Sequence, residues 1–211
     1  MTTEVDHLVI AADSLEQGSA WCERTLGAKP VAGGRHALMG THNLLLQLSS
    51  TAFERVYLEI IAIDPDAPAP GRPRWFGLDE RPAGEPTLVQ VVARSRMLDM
   101  HRFGLVHKGV DPGDPVALSR GDLRWQMLLR PDGQMPAGLP MLIQWGEHHP
   151  ADTLPASGCA LTGVTLHGVA QTHATVLRLK GVKLEPLAPP GWTVRLQCPL
   201  GDVDLCSTTL M

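Results

Sequence analysis

Residues 5–27, VDHLVIAADSLEQGSAWCERTLG, read as a strand followed by a helix. Val5 to Ala11 is mostly apolar and alternates poorly, the pattern of a strand covered on both faces. Asp13 or Ser14 then supplies an N-cap, with Glu16 and Gln17 in the first turn, where the helix dipole favours an acid. Leu15, Ala20, Trp21, Cys22, Thr25 and Leu26 recur at helical spacing, and Gly27 follows as a C-cap. Downstream, the pattern predicts strands at Arg35–Met39, Leu44–Leu48 and Val56–Ile63, with a tight turn at Gly40–Asn43. The unit is therefore strand, helix and three strands over residues 1–63. Two polar residues sit inside its apolar runs, His7 in "VDHLVI" and Glu59 in "YLEIIAI". An imidazole and a carboxylate facing inward from two strands of one curved sheet make half of a metal site.

Residues 64–86 are a Pro-rich connection, with a short helix predicted near Arg74–Asp79. Its rings, Trp75 and Phe76, either cover one mouth of a pocket or pin the loop to the core. Residues 87–150 repeat the first order: a strand at Thr87–Ala93, a helix at Met97–Leu105, then strands at Pro115–Leu118, Leu123–Arg130 and Leu139–Trp145. Residues 151–211 read as a reduced third copy, with strands at Leu161–Val169, Val176–Leu179, Trp192–Cys198 and Val203–Ser207. It is expected to extend the sheet and to supply no ligand.

The segments "VDHLVIAADSLEQGSAWCERTLG", "GRHALMGTHNLLLQL" and "YLEIIAIDP" together resemble the glyoxalase-like branch of the vicinal oxygen chelate superfamily. The resemblance is close over residues 4–65 and continues more weakly to about residue 150. It implies an α+β fold of tandem βαβββ modules, mostly antiparallel, forming a half-open barrel around a cleft. It also implies that His7 and Glu59 fall on the ligand positions of the first and last strands. A complete site needs two more ligands, and the matching strands of the second module offer Gln90 and Gln144, within a register uncertain by one residue. The implied ion is Zn, Ni, Fe, Mn or Co. Because amide oxygens ligate weakly, a cleft that binds an organic ligand and no metal stays open as the alternative.

His36 and His42 flank a turn in "GRHALMGTHN", and either could serve as ligand, general base or anion contact. Glu59 and His42 are the candidates for moving a proton; His36, Trp75 and Trp145 are expected to line the pocket. Glu147-His148-His149 resembles a metal cluster, but consecutive residues on an extended chain point to opposite faces, which favours a solvated loop. Two functions follow: metal-assisted isomerase or lyase chemistry on a small vicinal-oxygen substrate, or sequestration of a small molecule without a metal.

Bulk properties exclude other classes. The 211 residues carry a net charge of -4 and are 44% apolar, with no basic cluster to neutralise phosphates, so nucleic acid is not an expected partner. No apolar run is long enough to span a membrane and no signal segment opens the chain, so a cytoplasmic protein is expected. The four cysteines form no CxxC pair and read as reduced thiols. A chain with two modules can close its own cleft, as a monomer or within a homodimer.

Overall fold

The computed structural model describes residues 2–136 and 138–207; the outer ends of the first and last predicted units, residues 1 and 208–211, lie outside them. The chain runs β1 (Glu4–Ala11), α1 (Leu15–Leu26), β2 (Val31–His36), β3 (Thr41–Gln47) and β4 (Tyr57–Ile63). It continues through β5 (Thr87–Arg94), α2 (Leu98–His107), β6 (Asp114–Arg120), β7 (Leu123–Leu129) and β8 (Met141–Trp145). The last part is β9 (Ala160–His167), α3 (Gln171–Leu177), β10 (Lys183–Glu185), β11 (Gly191–Cys198) and β12 (Gly201–Cys206).

The first eight strands form one curled mixed sheet in the order β2-β3-β4-β1-β5-β8-β7-β6, the half-barrel of an α+β glyoxalase-like fold. Each half pairs its first strand with its last in parallel, β1 with β4 and β5 with β8. The halves meet antiparallel along β1 and β5. Alternation then sorts side chains between the two faces. Leu8, Ile10, Leu58 and Ile60 pack outward with Trp21, Cys22 and Leu26 of α1. Val9, Ala11, Ile61, Val92, Met127 and Ile143 line the concave side.

Local chemistry explains α1. The Ser14 hydroxyl accepts from the Gln17 amide at 3.1 Å, and Gly27 ends the helix in the left-handed region at φ 70°. The turn between β2 and β3 lies at residues 37–40, so the strand expected at Arg35–Met39 ends at His36, and Thr41, His42 and Asn43 belong to β3. Gly40, at φ 57°, sets this boundary by taking the left-handed conformation that glycine tolerates.

The last third does not extend the large sheet. It forms its own four-stranded sheet in the order β10-β9-β11-β12. Residues 176–177, expected in a strand, close α3 instead. Leu161, Val164, Leu166, Trp192, Val194 and Leu196 enter the same apolar cluster as α1 and the outer face of the large sheet. Among the described residues no helix is long and apolar enough to cross a membrane.

Candidate active site

The concave face closes on a small cleft lined by His7, His36, Asn43, Tyr57, Glu59 and Arg120, with Trp75, Trp125 and Trp145 among its apolar walls. The enclosed space is about 30 Å³. Trp75 and Phe76 form its cover within a tight turn at Trp75–Gly77. Both rings are buried, so they line the pocket and anchor their loop at once. Phe76 holds φ 60°, a left-handed conformation that costs a non-glycine residue about 1–2 kcal/mol. Its amide donates to the Gly133 carbonyl at 3.0 Å, docking the cover onto the β7–β8 connection.

A β-bulge builds the polar floor. The β1–β5 ladder pairs Val5 with Ala93 and His7 with Val92, leaving Asp6 as the extra residue. Such an insertion re-aims side chains that strict alternation would send apart. Asp6 is fully buried. It takes His7 Nδ1 at 2.6 Å on one oxygen, and His149 Nε2 at 2.9 Å and Trp145 Nε1 at 3.1 Å on the other. Burial alone would raise its pKa, but the hydrogen bonds from His149 and His7 more than reverse this and hold the carboxyl well below the usual range. The Ala151 amide donates to His149 Nδ1 at 3.1 Å, so His149 carries its proton on the nitrogen facing Asp6.

Asp6 thereby turns His7 so that Nε2 faces Glu59 Oε2 at 3.6 Å. Tyr57 stacks on the imidazole at 4.7 Å between centroids and fixes its plane. Asn43 Nδ2 donates to the other Glu59 oxygen at 2.5 Å. On the far side, Arg120 Nη1 lies 3.2 Å from His36 Nε2 and 3.3 Å from Asn43 Oδ1, and it forms no ion pair among the described residues. Arg120 stands at the end of β6 and reaches β2 across Gly34, where a Cβ would come within 2.5 Å of its Cδ. His36 is pushed down to about 4, first by burial and further by the Arg120 charge, against the opposing pull of Glu59. It is neutral at pH 7 and accepts from Arg120.

His7, Glu59, His36, Trp75 and Trp145 thus meet at one cleft; three other expected site residues do not. His42 lies on β3 between Thr41 and Asn43, and alternation sends it to the helix side. Gln144 also points to the helix side, accepting from the Leu98 amide at the start of α2 at 3.0 Å. Gln90 accepts from the Val91 amide and lines a different cavity, beyond Phe76. His149, expected in a solvated loop, is 3% exposed and holds Asp6. Pro150 signals the cause: it opens a short 3-10 turn that His149 caps.

These placements decide the fit of a divalent metal. The implied set of His7, Glu59, Gln90 and Gln144 is not assembled. Where the second module would supply ligands, it presents Val92, Met127 and Ile143. The remaining imidazole, His36, has its lone pair on a guanidinium, a cation that repels a metal ion. No group of three or more His, Cys, Asp or Glu suited to a metal occurs among the described residues. The donors of this cleft do not fit a metal centre of the expected kind.

Among solved structures, the chain is similar to a hypothetical protein from Staphylococcus aureus, with a TM-score of 0.59, 17% identity, and coverage of 98% of this chain and 86% of that one. A looser likeness, with a TM-score of 0.48 and 17% identity, links 71% of this chain to 99% of a Streptomyces coelicolor methylmalonyl-CoA epimerase in complex with 2-nitronate-propionyl-CoA. The epimerase from Mycobacterium tuberculosis matches at a TM-score of 0.41 and 21% identity, over 67% of this chain and 85% of that one. Comparison with curated protein sequences finds no match. The family model described as a glyoxalase-like domain matches residues 5–182. With the paired strand–helix–three-strand halves and their shared cleft, that match places the chain in the glyoxalase-like domain family.

Proposed function

We propose that this protein is an acid–base enzyme of the isomerase or lyase type, acting on a small anionic compound with neighbouring oxygens, without a metal in this cleft. One arrangement carries the reading: Glu59 lies between the Asp6-backed His7 and Asn43, facing an arginine that has no carboxylate of its own among the described residues. An anionic substrate group would take Arg120, and the cover at Trp75–Phe76 would move to admit it. Glu59 then removes the proton from the carbon beside a carbonyl. The C–H electron pair passes to the carbonyl oxygen, whose developing charge falls to Arg120. The proton taken by Glu59 passes to His7 Nε2, 3.6 Å away, and returns to the substrate from there, while Asp6 behind Nδ1 compensates the charge of the imidazolium formed in passing.

The test is exchange of the carbon-bound proton with D2O, followed by NMR, across 2-oxoaldehydes, 2-hydroxy acids and 2-oxo acids. At least one compound should exchange, and Glu59→Gln should slow it by about 10²–10⁴-fold. Activity lost to a chelator, together with a stoichiometric metal that His7→Ala removes, would overturn the metal-free mechanism. A second reading, a sequestering protein, draws support from the apolar wall of Met127, Ile143 and Trp125. It expects tight binding with no exchange of any compound bound.

A further inference from the structure

A second cavity, of about 540 Å³, opens where β1 begins and where β5 and β8 end. It shares Trp145 with the cleft and has otherwise its own lining, including Arg55, Arg94, Arg96 and His101. Two of the three arginines are spent. Arg94 bonds Glu4 through Nε and Nη2 and places its remaining N–H groups on the carbonyls of Val5, Glu54 and Arg55. Arg55 pairs with Asp152 at 2.7 Å, which leaves Arg96, exposed and with no ion pair among the described residues.

His101 supplies an independent observation. It is 2% exposed and forms part of the wall. Its Nδ1 lies 3.1 Å from the Met97 carbonyl and 2.8 Å from Ser95 Oγ. A carbonyl only accepts, so Nδ1 carries the hydrogen and Nε2 is a bare acceptor. That buried Nε2 has no partner among the described residues. Burial also lowers the pKa of His101 and keeps it neutral. An unpaired buried polar atom is a cost to the fold that a ligand could recover. Beside it begins α2, whose N-cap residue Met97 offers no side-chain acceptor.

We propose that this cavity binds an oxyanion that still carries a proton, namely inorganic hydrogenphosphate or a singly ionised phosphate monoester. The ligand O–H donates to His101 Nε2. Its unprotonated oxygens accept from the Arg96 guanidinium. Sulfate and carboxylates are fully ionised near neutral pH and have no proton to give, so the site discriminates against them. The inference is independent of the chemistry assigned to the cleft.

The experiment is calorimetric titration of the intact protein with inorganic phosphate and, separately, with sulfate. Long-range proton–nitrogen NMR of the histidine rings follows the same additions. Phosphate should bind saturably and shift the His101 Nε2 resonance, with sulfate at least about tenfold weaker. Arg96→Ala should weaken phosphate by about tenfold or more, as expected for loss of a charge-assisted hydrogen bond. His101→Phe should abolish the preference for phosphate over sulfate. If that variant fails to fold, Arg96→Ala and the sulfate comparison still decide. No saturable phosphate binding, equal affinity for sulfate, or loss on Arg120→Ala with Arg96→Ala unaffected would overturn the proposal.

Discussion

His36 stores part of the stability of the cleft in a form that pH can read. Its folded pKa, about 4, lies below the ordinary 6.5 because burial and Arg120 disfavour the charged ring. Below 6.5 the unfolded chain takes a proton that the folded one refuses, so stability falls with pH between about 6.5 and 4. The full loss attributable to this residue is about 3 kcal/mol at the low end. Urea unfolding at pH 7 and pH 4.5 should show this slope, and His36→Gln should flatten most of it. An unchanged slope would refute the assignment. His101, also depressed by burial, contributes the same sign in both proteins. Asp6 does not overlap this window: its folded pKa is depressed, so its stabilisation is lost only as pH falls below the ordinary carboxylate value. At this scale the sequence was partly legible. His7 and Glu59 stood out as polar residues within apolar strands. Asp6 was hidden because a bulge breaks the alternation on which such reading depends. Arg120 and His149 come from 84 and 143 residues away from the partners they meet, His36 and Asp6, and no local pattern reports that.

Among the elements, the cover carries backbone tension at Phe76. Gly133 sits at φ 70°, and a Cβ there would come within 2.4 Å of the Arg74 carbonyl oxygen, directly before the cover turn. Gly133→Ala should therefore push the Trp75–Gly77 turn off its dock. Hydrogen exchange of residues 72–79 should rise by about tenfold or more, while peptides of β1 and β4 stay protected. Protection unchanged in the cover would show that the contact is accommodated elsewhere. Helix α1 and strands β1 and β4 were readable from capping residues and periodicity. The displaced turn before β3 was not, because Thr41, His42 and Asn43 carry turn chemistry in sequence yet pair with β4 in space. That shift moved His42 to the outer face and Asn43 to the cleft.

Across the whole molecule, the second sheet shares a core with the first. Leu161, Trp192 and Leu196 are all 3% exposed or less and pack in one cluster with Leu26, Leu58 and Leu88. A chain ending at residue 150 should bare that face and lose cooperative unfolding, read by near-ultraviolet circular dichroism and calorimetry. A sharp transition in the truncated chain would mean the half-barrel stands alone. Repetition of strand and helix order made the two halves legible. The separate second sheet was not, because the same element order pairs its strands differently: β9 lies parallel to β10, whereas β1 and β5 lie parallel to the last strands of their modules. One consequence concerns Arg120, which spans from β6 to β2 over Gly34. An arriving anion that draws the guanidinium away from His36 and Asn43 unlatches the rim of the half-barrel. Occupancy would then loosen this rim, and part of the driving force for binding would be the freedom that β2 and β6 gain.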